Sequence, residues 1–228
     1  MMEQARKPRK HAYFMLLCAL MGMIFVLPIL AEDDWGHSIL GFLTIVTLVL
    51  SLRAVAFHRR TLIVAAILGV VGYAVGAAAT IGQFDYIYAL PFQLTFYVFI
   101  NVSILKSVLR AKVIDDDVVC GGIAVYLLMG VNWAVVFAFI EMAQPGSIQI
   151  SNGFDQNGVS TPVDFLYFSF VTLTTLGYGD IVPVSNSARI VAIMTALSGV
   201  LYVAVFIGRL VGLTIAEKGV EIIEEEEL

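Results

Sequence analysis

The sequence predicts an all-α membrane protein of six transmembrane helices, with a short re-entrant helix between the fifth and the sixth. Three observations carry that prediction: an apolar composition, six apolar runs of spanning length, and one further apolar run too short to span. Of the 228 residues, 60% are hydrophobic and only 14% are charged. Soluble domains carry about a quarter charged residues, and few water-soluble folds cover so much apolar surface. The net charge of −5 matters less than where the charges stand. Cys18 and Cys120 sit in or beside apolar runs and read as small buried hydrophobes, not as a disulfide or metal site.

A hydrocarbon core about 30 Å thick needs about 20 helical residues. Residues 13–31, 37–57, 61–81, 86–105, 118–140 and 188–215 each meet that need. Helix is the default state, because lipid cannot satisfy a bare backbone. Arg53 stands near the end of the second run, where its side chain can snorkel to the headgroups. Arg189 and Arg209 bracket a charge-free stretch in the last run. A signal peptide is the rival reading of the first run, whose basic start (Arg6, Lys7, Arg9, Lys10) fits one. The acidic Glu32-Asp33-Asp34 follows instead of a small-x-small cleavage site, so a retained helix is expected.

The loops set the orientation. Basic residues collect in the N-terminal segment, at Arg59-Arg60, at Lys106, Arg110 and Lys112, and at Arg209 and Lys218. The alternate loops hold Glu32, Asp33, Asp34, Asp85, Glu141 and Asp155, and Arg189 alone breaks the pattern. The positive-inside rule places both termini in the cytoplasm, which agrees with an even number of spans.

Between the fifth and sixth runs, residues 144–162 are polar and carry the turn pairs Pro145-Gly146, Asn152-Gly153 and Asn157-Gly158. The apolar, aromatic run 164–174 follows and reads as a half helix. Thr161 or Asp164 would cap it, with Pro162 in the first turn. Its C-terminus would point into the membrane, where the negative end of the helix dipole favours a cation.

The next residues are Thr174-Thr175-Leu176-Gly177-Tyr178-Gly179-Asp180. Thr-Leu-Gly-Tyr-Gly-Asp resembles the potassium-channel signature, a near relative of Thr-Val-Gly-Tyr-Gly, and it stands in the right context: after a short apolar helix and between two spans. A potassium ion exchanges its water shell for protein oxygens when rings of backbone carbonyls surround it. Carbonyls turn to a common axis only through unusual φ/ψ angles, which Gly177 and Gly179 tolerate. The resemblance implies that the carbonyls of Thr175, Leu176, Gly177, Tyr178 and Gly179 form the selectivity filter. The ion sites lie at Thr175 to Tyr178, and the Thr175 hydroxyl completes the innermost one. It also implies that the Leu176 and Tyr178 side chains pack behind the filter and that the pore is a homotetramer.

Filter support is expected from Thr174, Val171, Tyr167 and Asp180. In many relatives an aspartate at the place of Asp180 is held by an aromatic donor, and the same spacing selects Tyr167. Some relatives place a glutamate where this chain has Val171, so that buried carboxyl is missing here. In the sixth helix, Gly199 lies about where relatives carry a hinge glycine, and Gly208 and Gly212 offer further weak points. A helix-interior glycine costs about 1 kcal/mol relative to alanine; either a gating hinge or close packing explains Gly199, while packing is the expected role of Gly212.

The resemblance divides the chain into a cytoplasmic N-terminus (1–11), a voltage-sensor-like scaffold (12–110), a linker (111–117), a pore domain (118–215) and an acidic tail (216–228). Voltage-gated relatives carry arginines at every third position of the fourth helix. Here that helix is uncharged until Lys106 and Arg110, and Pro91 interrupts it. A charge crossing the full field is worth about 2.3 kcal/mol per 100 mV, and two charges near one surface cross only part of it. The expected function is passive potassium conduction with little intrinsic voltage sensing; a voltage-modulated or a non-selective cation channel is the alternative. Gly72 and Gly76 form a small-residue face expected to pack within the chain. Asp115-Asp116-Asp117 reads as a capping cluster before helix five.

No cofactor is expected beyond the permeating ion, and no enzymatic site: there is no metal-binding set, phosphate loop or nucleophile–base pair. The expected partners are membrane lipid, potassium ions and three further copies. Nucleic acid is not expected, because the basic residues are dispersed, and the tail is too short for a nucleotide-binding domain. His58 beside Arg59-Arg60 could sense pH, but an interfacial histidine is the simpler reading. A transporter would show inverted repeats, and none is seen. An accessory subunit would have lost the filter sequence, which is intact here. The compact plan suggests a prokaryotic plasma membrane.

Overall fold

A computed structural model describes residues 11–30, 36–54, 59–80, 82, 85–111, 115–150 and 161–226. The turn pairs Asn152-Gly153 and Asn157-Gly158, the linker residues 112–114 and His58 lie outside the described residues. The described residues form helices α1 (Ala12–Leu30), α2 (Gly36–Ala54), α3 (Arg59–Thr80), α4 (Leu90–Arg110), α5 (Asp116–Ala143), α6 (Pro162–Leu173) and α7 (Asn186–Glu226). One 3₁₀ turn (Tyr86–Tyr88) and two short strands, β1 (Ile148–Ile150) and β2 (Ile181–Pro183), complete them. The molecule is thus mostly helical, and four described helical stretches are long and apolar enough to cross a membrane: Arg60–Ala79, Tyr86–Arg110, Asp116–Ala143 and Asn186–Gly212.

Helix starts follow local chemistry. The Asp115 side chain accepts from the Val118 amide at 2.8 Å and caps α5. Asp117 turns outward instead and accepts from the Phe14 amide at 3.1 Å, which ties the start of α1 to the start of α5. Pro91 does not interrupt the fourth helix: Ala89 is its N-cap and Pro91 stands in the first turn, where a missing N–H costs nothing. At the other end of the chain, α7 runs unbroken from Asn186 to Glu226 across the expected boundary between pore domain and tail.

Two cores hold the helices together. The first joins α1, α4 and α5 through Tyr13, Leu16, Leu20, Ile100, Ile104 and Leu128, among others, all buried. Asn101 donates across it to the Val125 carbonyl at 3.2 Å. The scaffold therefore lies against the chain's own α5. A Cβ added to Gly72 would stand 3.6 Å from the Phe92 backbone and one added to Gly76 would stand 3.3 Å from the Gln93 side chain, the packing within the chain that the sequence suggests. The second core surrounds α6, with Val131, Phe137, Phe165, Leu166, Phe168 and Ala188 buried together. The cysteines depart from expectation. Both are free, but Cys18 lies on the exposed face of α1 and Cys120 is only half-buried, because the buried stripe of α1 is set by Tyr13, Leu16 and Leu20.

Candidate functional site

The site is built on α6, whose start is fixed by three neighbouring residues. The Thr161 side chain accepts from the Asp164 amide at 3.3 Å. The Asp164 carboxylate in turn accepts from the Thr161 amide at 2.7 Å. This reciprocal capping box satisfies two otherwise orphan donors, and Pro162 fits the first turn. Both candidate caps named from sequence thus act together. The helix buries Phe165, Leu166, Phe168, Ser169, Val171 and Leu173. Phe168 packs on Phe137 with ring centroids 4.7 Å apart. The buried Ser169 hydroxyl lies 2.8 Å from the Gly130 carbonyl of α5, where the Phe170 ring fills the space that a side chain on Gly130 would need.

The helix ends at Thr174, whose amide and hydroxyl both donate to the Phe170 carbonyl, at 2.9 and 2.7 Å. The Thr175 amide donates to Thr172 at 3.0 Å, and the Leu176 amide donates to the Val171 carbonyl at 2.9 Å. Val171 therefore supports the segment through its backbone while its side chain is buried. From there the chain alternates: φ is +61° at Thr175, +59° at Gly177 and +81° at Gly179, and it is not positive at Leu176 or Tyr178. Alternation of this kind gathers successive N–H groups on one side of the chain and leaves the carbonyls facing the other. The left-handed region is free for glycine, but for a β-branched residue such as Thr175 it costs about 1–3 kcal/mol, strain of the kind that marks functional segments.

Leu176 and Tyr178 do not pack behind this segment within one chain. They are 57% and 67% exposed, because no element of the same chain reaches them.

Asp180 closes the segment. The Tyr167 hydroxyl donates to its carboxylate at 2.6 Å, the pairing that the spacing suggests, and the Ile181 amide donates to its other oxygen at 2.9 Å. The hydrogen bond from Tyr167 holds the Asp180 carboxyl below its ordinary range. The same bond pushes the Tyr167 phenol up to about 12. A depressed carboxylate stabilises the fold above its unfolded pKa and loses that contribution as pH falls through the folded value. The pair therefore stays intact across neutral pH and loosens in acid below the usual aspartate range. Tyr167→Phe removes the donor, so Asp180 protonates at higher pH. A carboxyl NMR titration of Asp180 from pH 6 to pH 3 is expected to show protonation at higher pH in the variant than in the parent. Identical acid profiles would sink the coupling.

The structure adds supports that no local pattern announces. Beyond Asp180, β2 pairs antiparallel with β1, with Ile150 opposite Ile181 and Ile148 opposite Pro183. The Glu141 carboxylate at the end of α5 accepts from the Gly146 and Ile148 amides, at 2.7 and 2.8 Å. The far end of the segment is thus braced to α5. Behind it, Trp133 of α5 donates to Ser198 of α7 at 2.9 Å. Gly199 presses on the Leu173 carbonyl, where an added Cβ would collide with the oxygen, whereas Gly208 and Gly212 face open space. No group of three or more histidine, cysteine or carboxylate side chains able to hold a metal ion is found among the described residues.

Helices α5 and α7 thus flank the capped short helix and the alternating backbone after it. The family described as "Ion channel" matches residues 118–215, a little under half of the chain. The chain is similar to the voltage-gated potassium channel Kch of Escherichia coli, 42% identical over 71 residues, 28% of this chain and 17% of Kch. It is similar to two pore potassium channel b of Oryza sativa, 45% identical over 47 residues, 21% of this chain and 14% of the relative. It is also similar to the calcium-gated potassium channel TvoK of Thermoplasma volcanium, 51% identical over 35 residues, 15% of this chain and 10% of TvoK. The chain therefore spans less than a fifth of the length of each of these relatives.

Proposed function

We propose that four copies of this chain form a potassium-selective pore that conducts the ion passively across a membrane. The observation that carries the reading is the alternation of positive φ at Thr175, Gly177 and Gly179 within Thr-Leu-Gly-Tyr-Gly. One such strand offers carbonyls on one side only, so an ion needs several strands around an axis. The exposed Leu176 and Tyr178, and the exposed α7 residues Ile190, Ile193, Leu201 and Val205, are the apolar surface that neighbouring copies would cover.

In this reading α6 is the re-entrant pore helix and its C-terminal end faces the ion path. The α1 and α2 helices, 19 residues each, complete six spans. Both termini lie in the cytoplasm by the distribution of basic residues, and the membrane is the plasma membrane. The α4 helix has no charge before Lys106, which supports weak intrinsic voltage sensing.

Reconstitution in planar bilayers tests the proposal. With potassium on one side and sodium on the other, the current is expected to reverse near the potassium equilibrium potential. Open probability is expected to change only shallowly with voltage. Equal sodium passage would favour a non-selective channel, and a steep voltage response would favour the voltage-modulated alternative.

A further inference from the structure

We propose that the exposed face of α4 holds an anionic phospholipid, with its phosphate at Lys106 and Arg110 and an acyl chain in the groove beside them. The inference rests on the placement of α4 in a membrane and not on conduction. Leu94, Thr95, Val98, Phe99 and Val102 line an open groove on this helix. Its only hydroxyl is already used, because Thr95 donates to the Pro91 carbonyl at 2.7 Å. Val98 and Val102 are exposed, and Lys106 and Arg110 continue the same four-residue stripe, exposed in turn. Residues four apart stand one above the other on a helix, so an apolar strip ends in two cations.

No acid lies in α4, and among the described residues neither Lys106 nor Arg110 forms an ion pair. Of the nearest acids in sequence, Asp115 accepts from the Val118 amide and Asp117 from the Phe14 amide, and Asp116 forms no ion pair with either cation among the described residues. At about 1.5 Å per residue, the groove from Leu94 to Val102 runs about 12 Å, close to the hydrocarbon depth of one leaflet, about 15 Å. The first cation follows one turn later. An amphiphile with one long chain and an anionic head satisfies both parts of this surface. A second protein copy would have to bring free carboxylates to the two cations.

The test is native mass spectrometry of the full chain in neutral detergent, with phosphatidylglycerol competing against phosphatidylcholine of the same acyl chains. Two cations near an anionic head imply a preference of roughly tenfold to thirtyfold. Lys106→Gln with Arg110→Gln is expected to abolish it, while Lys106→Arg with Arg110→Lys keeps it. Val98→Trp, which fills the groove and leaves both charges, is expected to weaken retention of either lipid and serves if the glutamine pair fails to fold. Three results would overturn the proposal: equal retention of the two lipids by the parent chain, a preference that survives both the glutamine pair and Val98→Trp, or efficient disulfide linkage of two copies through Val98→Cys.

Discussion

Alanine at position 177 is expected to abolish potassium-selective current while leaving the helices in place. Gly177 has φ +59°, and in this chain an added Cβ would meet nothing within 4 Å. The penalty is therefore conformational and not steric. Left-handed backbone costs an L-residue about 1–2 kcal/mol. In a four-copy pore the substitution acts four times on one small structure, for a sum of about 4–8 kcal/mol. The backbone then relaxes toward negative φ, and the Gly177 carbonyl leaves the side it shares with its neighbours. The measurement is the reversal potential with potassium opposed to sodium, together with circular dichroism to confirm the helices. Gly82→Ala is the control: Gly82 also has positive φ, +80°, and open space around it, but it sits in the turn after α3. It carries a comparable cost per chain and is expected to leave selectivity unchanged. Selective current through the Gly177→Ala channel would remove the central support for the proposed function.

Gly199→Ala is expected to destabilise the assembly and Gly208→Ala to stabilise it, although both lie in the same helix. On helix propensity alone, each change gains about 1 kcal/mol. At Gly208 nothing within the chain opposes the gain. At Gly199 the methyl group meets the Leu173 carbonyl, and overpacking of this kind costs about 1–3 kcal/mol. To make room, α7 must move off the end of α6, the point from which the Thr174 to Asp180 segment departs. Thermal unfolding of the purified variants decides the matter, with conduction as the second readout. If Gly199 serves only as a hinge, both variants rise in stability and only gating changes. If it is the seat of α6, its variant unfolds earlier and loses current.

Much of the site was legible because its determinants are local. The Thr161-Pro162-Asp164 cap, the break after Thr174, the glycines at 177 and 179, and the step from Tyr167 to Asp180 lie within twenty consecutive residues. Their geometry follows from side-chain chemistry acting over one or two turns. The apolar runs were legible for a similar reason, since hydropathy over one span does not depend on neighbours. Pro91 was misread because its meaning depends on which residue starts the helix, and Ala89 rather than Asp85 caps α4.

By itself the sequence determined the helical membrane class, the capped half helix, the unusual backbone at Gly177 and Gly179 and the pairing of Tyr167 with Asp180, because each is encoded in short-range pattern and residue type. The tertiary structure alone decided which surfaces meet: α1 and α4 on the chain's own α5, β1 on β2, Arg209 of α7 on the Ala111 carbonyl at 2.9 Å, and Gly199 on Leu173. Those pairings reach as far along the chain as Phe14 to Asp117, 103 positions apart. Almost every membrane-facing position offers an equally apolar side chain, so hydrophobicity cannot choose among partners. Shape and the few satisfied polar groups do.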